Sequence, residues 1–303
     1  MDCKLTIFTP TYNRENLLDK LYTSLKNQTD KNFIWLVIDD GSTDNTKEII
    51  KKYIDENIIK IQYQFKENGG KHSAIDYANK ICSTDYIAYV DSDDYLTNNA
   101  VEELYRLFPL IDKNEDSCGI VLRRAKTDLQ PFNSNWVDED KMIYFYQLAK
   151  QYGYNEDTFL IFKTHIASKY HFPKIEGEKF VTEKVYYNQF LFEYKIFASN
   201  KLIYVGEYQE DGYTAGSAKL MFKNPKSTYY AFKCDTFYLT KYKVGFKQVL
   251  FAWARYYAWR RLNKFKEMFK DEFKIKSSLK PFGWFLSIVF YFRYKKKLEI
   301  SNN

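Results

Sequence analysis

Tyr86-Ile87-Ala88-Tyr89-Val90 runs straight into Asp91-Ser92-Asp93-Asp94. The apolar run reads as a buried strand whose C-terminal end presents two or three carboxylates. Gathering like charges in one place costs free energy unless a cation or a set of donors meets them. Oxygen-only ligands of this kind suit Mg²⁺ or Mn²⁺, ions that commonly accompany a diphosphate. Open α/β sheets hold their ligands beyond the strand ends, which is where these aspartates fall. Taken alone, the same residues are equally well explained as an Asp-rich turn before a helix starting near Asn98.

The preceding residues repeat the pattern. Leu5–Phe8 is a short apolar strand that ends in Thr9-Pro10-Thr11-Tyr12-Asn13-Arg14. A helix follows over 15–27, with Leu17, Leu18, Leu21, Tyr22 and Leu25 on one stripe. Phe33–Ile38 is apolar throughout, as in a strand covered on both faces, and ends in Asp39-Asp40-Gly41-Ser42-Thr43-Asp44. A helix begins near Asn45, a third strand spans Ile58–Gln64, and Asn68-Gly69-Gly70-Lys71 forms a tight turn into a helix carrying Ala74, Ile75, Ala78 and Ile81. Strand and helix alternate, which predicts a doubly wound sheet with right-handed crossovers.

Three strand ends therefore converge on one sheet edge, with the 68–71 turn beside them. Tyr12 can cover a base, Asp40 can accept from a base N–H, and Lys71 can meet a diphosphate. Each loop read singly is also an ordinary turn or cap, and Asp39 and Asp40 can simply open a helix; the convergence favours a nucleotide site. The chain has neither a G-x-x-x-x-G-K-[ST] loop nor a G-x-G-x-x-G after the first strand, which disfavours ATPase and dehydrogenase readings.

Together the segments Thr9–Arg14, Asp39–Asp44, Asn68–Gly70 and Asp91–Asp94 resemble glycosyltransferase family 2, in order and spacing, over roughly residues 3–110. The resemblance implies a GT-A fold, a doubly wound mixed sheet with a Rossmann-like nucleotide-binding half. It implies that Thr9, Pro10, Tyr12, Arg14, Asp40, Lys71, Asp91 and Ser92 hold a nucleotide-sugar, most simply a UDP-sugar. It also implies that Asp93 binds a divalent Mn²⁺ or Mg²⁺. Inversion at the sugar needs a base to deprotonate an acceptor hydroxyl. Within Glu176-Gly177-Glu178-Lys179-Phe180-Val181-Thr182-Glu183, Glu183 matches the family's base position, with Asp211 in reserve. Glu183 and Glu178 are also acids of the kind that favour the first turn of a helix. A nucleotidyltransferase would carry a Gly-rich basic loop after the first strand, which Thr9–Arg14 is not. A non-catalytic nucleotide-sugar-binding scaffold is the remaining rival.

Beyond residue 115 the periodicity loosens. Strands are expected at Gly119–Arg123, Phe159–Lys163 and Lys201–Tyr208, and a helix from about Val181. The chain of 303 residues reads as a catalytic domain over 1–224, with a donor half at 1–110 and an acceptor half at 111–224, followed by a helical extension over 225–303. Charge is split unevenly. Residues 241–303 hold 16 Lys+Arg against four Asp+Glu, a net +12, although the whole chain is only +7. In that tail Phe246, Leu250, Trp253 and Tyr257 share a helical stripe, and the aromatic run Phe282–Phe292 leads into Arg293 and Lys295-Lys296-Lys297. An anionic membrane surface contacted through 241–297 fits this pattern, as does packing on the catalytic domain or a second subunit. No motif supports nucleic-acid binding. His72, His165 and His171 form no ligand-spaced cluster, and the four cysteines form no C-x-x-C pair. Scattered cysteines, the absence of a signal-peptide pattern and the lack of an apolar run of membrane-spanning length lead to an expected cytoplasmic location, peripheral at the inner face of the membrane. The expected acceptor is a growing, lipid-linked surface glycan.

Overall fold

The computed structural model describes residues 3–154, 156–206, 217–269 and 273–302. Its elements, in order, are β1 (Leu5–Thr11), α1 (Leu18–Lys26), β2 (Phe33–Asp39), α2 (Thr46–Glu56), β3 (Lys60–Phe65), α3 (Lys71–Ile81), β4 (Tyr86–Tyr89) and β5 (Tyr95–Leu96). There follow α4 (Ala100–Asp112), β6 (Ser117–Ala125), β7 (Lys141–Ile143), α5 (Tyr146–Gln151), β8 (Thr158–Lys163), α6 (Thr164–Ala167), α7 (Glu183–Leu191) and β9 (Lys195–Val205). The chain ends in α8 (Ser217–Lys223), α9 (Pro225–Lys241), α10 (Phe246–Leu262) and α11 (Lys280–Asn302). It divides into two compact units, Met1–His171 with Glu193–Glu207, and Phe172–Phe192 with Tyr208–Asn303.

The first unit is built on one sheet in the order β3-β2-β1-β4-β8-β6-β9-β5, with β7 paired to β9. β3, β2, β1 and β4 run parallel, as the strand–helix alternation predicts. Every residue of β2 is buried, matching its unbroken apolar sequence, whereas β3 alternates and is largely exposed, as suits a charged edge strand. On one face Tyr22 of α1 packs against both Trp35 and Tyr53, with ring centroids 6.0 and 3.8 Å away.

The sheet becomes mixed at β8, which lies antiparallel to both β4 and β6. β6 is longer than the expected Gly119–Arg123 and sits in the middle of this half. At Gly119 a Cβ would come within 2.0 Å of the Ile161 carbonyl oxygen, so the strands approach as only glycine allows. The last strand starts at Lys195 rather than Lys201, because Ile196, Phe197 and Ala198 are buried beside β6. The polar 133–158 stretch supplies only short pieces, β7 and α5, and β5 is too brief for any period to show. The second unit comprises α7 and the C-terminal helices, with Tyr229, Val249, Trp253, Tyr256 and Trp259 at its centre. No described helix is long and apolar enough to cross a membrane.

Candidate functional site

Because β1, β2 and β4 are parallel and adjacent, their C-terminal ends share one edge of the first unit's sheet. The loops leaving that edge are stitched together. The Asp40 N–H donates to the Thr11 carbonyl (2.8 Å), and the Lys66 N–H to the Asp39 carbonyl (2.9 Å). Asn13, in the left-handed region at φ 51°, accepts from the Thr43 N–H at 2.8 Å, while its own N–H donates to Ser42 Oγ at 2.9 Å. Glu15 Oε2 accepts from the Asn45 N–H (2.8 Å), and Asp44 Oδ2 from the Glu15 N–H (3.1 Å). The Thr9–Arg14 and Asp39–Asp44 segments thus form one frame.

The aspartates after β4 lie in this frame. A turn closes from the Asp94 N–H to the Asp91 carbonyl (3.1 Å). One carboxylate oxygen from each of Asp91, Asp93 and Asp94 lies within 4.8 Å of the other two. Burial raises the Asp93 pKa above the ordinary carboxylate value. The Asp91 charge raises it further, with Arg14 and Lys71 opposing. Lys71, the first residue of α3, reaches Asp91 at 2.6 Å. Ser92 is buried in the turn.

Asp94 differs from its neighbours. It is buried and receives Arg124 Nη2 at 2.7 Å and the Tyr204 hydroxyl on its other oxygen. Burial first, then the Asp91 charge, push its carboxyl up to about 7, against the pull of Arg124 and Tyr204. Gly206 closes over the pair, where a Cβ would stand 2.2 Å from both Arg124 Nε and Asp94 Oδ1. With Asp94 committed to Arg124 and Tyr204, and one oxygen of Asp91 meeting Lys71, Asp93 and the other Asp91 oxygen are left to meet a cation. A pair of hard carboxylates that still repel each other fits Mg²⁺ or Mn²⁺, ions held by one or two protein carboxylates plus water and phosphate oxygens.

Other expected residues take distinct places. Thr9 is fully buried, and its Oγ1 accepts from the Trp35 indole N–H at 3.0 Å, which ties β1 to β2 beneath the site. Pro10 is half-buried, and Tyr12 is 48% exposed, open enough to cover a planar ligand. Asp40 is buried, and the Asn68–Gly70 turn wraps its carboxylate. The Gly69 N–H (2.9 Å) and Lys66 Nζ (2.5 Å) reach Oδ1, and the Gly70 N–H (2.7 Å) reaches Oδ2. Gly70 holds φ 91°, a conformation that a β-carbon disfavours, and this aims its N–H at the carboxylate. His72 is held below its usual pKa, first by burial.

Glu183 belongs to the second unit. It is the first residue of α7 and accepts from the Tyr187 hydroxyl one turn on, at 2.9 Å. Glu178 caps a different helix, accepting from the Lys226 and Ser227 N–H groups of α9 at 2.8 and 2.7 Å. Asp211 lies outside the described residues.

Sequence reasoning missed Lys66, Arg124 and Tyr204. Lys66 follows β3 directly, so a cation entering the 68–70 turn was a readable signal. Arg124 and Tyr204 lie 30 and 110 residues from Asp94, and no local pattern joins them.

A nucleotide-compatible edge with a paired-aspartate turn on a mixed α/β sheet defines a GT-A type of protein. Residues 6–175 match the family model described as "Glycosyl transferase family 2", and the chain belongs to that family. It is 39% identical over 108 residues to glycosyltransferase GlyA of Streptococcus pneumoniae, a match covering 35% of this chain and 15% of that relative. It is 34% identical over 106 residues to the GalNAc(5)-diNAcBac-PP-undecaprenol beta-1,3-glucosyltransferase of Campylobacter jejuni, covering 33% of each. The chain thus spans well under half the length of these relatives. The fold of S. aureus TarS 1–349, in complex with UDP-GlcNAc, superimposes with a TM-score of 0.63 at 20% identity, over 96% of this chain and 81% of that one.

Proposed function

We propose that this protein is an inverting glycosyltransferase that moves a sugar from a UDP-linked donor to a hydroxyl of a growing, lipid-linked surface glycan. The observation that carries the reading is the Asp91/Asp93 pair, held half-buried and mutually repelling at the strand-end edge while Asp94 is spent on Arg124. The UDP-GlcNAc bound by TarS supports the donor class, and the undecaprenol-linked substrate in the Campylobacter relative's name supports the acceptor class.

In this reading Tyr12 covers the base, Asp40 and the Asn68–Gly70 turn border it, and Asp91 and Ser92 meet the ribose. Arg14 and Lys71 place positive charge beside the diphosphate. Asp91 and Asp93 would hold Mn²⁺ or Mg²⁺, and the cation would supply the positive charge that screens the departing nucleoside diphosphate. Glu183 takes the proton from the acceptor hydroxyl, whose oxygen attacks the anomeric carbon as its bond to the diphosphate breaks. Direct displacement by one base, without a covalent intermediate, inverts the anomeric configuration.

The test is an assay of UDP-sugars with a lipid-linked or synthetic glycan acceptor, with the anomeric configuration of the product read by NMR. The Glu183→Gln enzyme is expected to lose about 10²- to 10⁴-fold in kcat, the range of general-base catalysis, with UDP affinity unchanged. A product that retains configuration, or a Glu183→Gln enzyme with undiminished kcat, would contradict the assignment.

A further inference from the structure

Helix α11 is apolar on all sides from Phe282 to Phe292, and such helices are normally enclosed. Among the described residues only one side is covered. Gly283 lies so close to α10 that a Cβ would come within 2.5 Å of Trp253 Cβ. Ser287 is fully buried, and Phe290 meets Phe251 with ring centroids 5.8 Å apart. Tyr294 packs on Trp259 and Phe232 at 5.4 and 6.1 Å. These contacts follow i, i+4, i+7, i+11. The opposite row of Phe282, Phe285, Val289 and Phe292, at i, i+3, i+7, i+10, is 63, 64, 48 and 62% exposed. Lys296 continues that row one turn on, with exposed Arg293, Lys295 and Lys297 beside it.

We infer that this outer face of α11 docks on an anionic lipid bilayer, with the helix lying along the headgroup region. The aromatic row enters the acyl boundary, and the lysines at its end meet acidic headgroups. A second copy of the chain fits less well, because residues 241–303 carry a net +12 and two such faces repel. The helix lies on the bilayer rather than across it. Its apolar run spans about 16 Å at 1.5 Å per residue, against a hydrocarbon core of about 30 Å. Arg261, stacked over Trp284 at 5.5 Å, keeps a cation beside the aromatic strip. The inference does not depend on the sugar chemistry.

Co-sedimentation of the full chain with vesicles tests it. The wild type is expected to pellet with vesicles of phosphatidylcholine and phosphatidylglycerol in equal parts, and much less with phosphatidylcholine alone. Phe285→Glu with Phe292→Glu is expected to leave the protein in the supernatant, with melting temperature and turnover of UDP-sugar unchanged. Lys295→Gln with Lys296→Gln and Lys297→Gln is expected to weaken binding to the mixed vesicles on the order of 10²-fold. The inference is overturned if the wild type ignores both vesicle types, or if the Phe variant pellets as the wild type does. It is also overturned if the wild type is a dimer that the Phe variant splits, since a second copy then covers the face. A wild type that pellets with the mixed vesicles but turns over no UDP-sugar would count against the glycosyltransferase reading alone.

Discussion

Asp93→Asn is expected to lower sugar transfer on the order of 10³-fold while leaving the folded protein as stable as before, or slightly more so. The two effects separate because of the electrostatics of the turn. Asp93 is penalised first by burial and then by the Asp91 charge, so its negative charge is unfavourable in the folded protein. Asparagine keeps the shape and removes that charge. The same substitution leaves Asp91 alone to hold a cation against the diphosphate. Sites that store strain for function commonly show this trade of stability against activity. Turnover of UDP-sugar and the melting temperature, measured on the same preparation, check it. A parallel fall in both would mean that Asp93 is a structural residue.

Arg124→Ala is expected to destabilise the first unit by about 3–5 kcal/mol, the cost of stranding one member of a buried ion pair. Arg124 and Asp94 are each less than a tenth exposed and 2.7 Å apart. The Tyr204 hydroxyl completes the network, and Gly206 packs so closely on it that a Cβ there would meet both Arg124 and Asp94. At about 2–4 °C per kcal/mol, the melting temperature should fall by roughly 10 °C. Donor binding should weaken too, because Asp94 anchors the turn that carries Asp91 and Asp93. Asp94→Asn with Arg124→Met removes both charges and should recover part of the stability. A loss under about 1 kcal/mol for Arg124→Ala, as at an exposed pair, would contradict this account of the turn.

The contrast between Asp93 and Asp94 shows how far the sequence could be read. Neighbouring acids in one turn do opposite jobs, one left repelling its partner and the other neutralised by residues from β6 and β9. The parallel half was legible because β1, β2 and β4 are apolar runs, each ended by turn residues, and because parallel neighbours must share an edge. The antiparallel insertion of β8 was not, since a short apolar strand carries no mark of its direction or neighbours. Asp40 was legible as a loop acid, but its wrapping by Lys66 and the 68–70 turn depends on how two loops fold over one another. In the tail, the aromatic run of α11 was visible, but which residues meet α10 was not. An all-round apolar helix has no stripe, and only the packing of Gly283, Ser287, Phe290 and Tyr294 shows which side is left over.

The strand-end edge is expected to bind a nucleoside diphosphate through a cation at Asp91 and Asp93, and thermal unfolding with UDP, in the presence and absence of Mn²⁺, tests this. A ligand that binds only the folded state at 100 times its Kd adds about 2.7 kcal/mol. The melting temperature is expected to rise only when UDP and Mn²⁺ are both present, and not to rise in Asp93→Asn. No rise with UDP, or a rise that persists without Mn²⁺ and in Asp93→Asn, would contradict it.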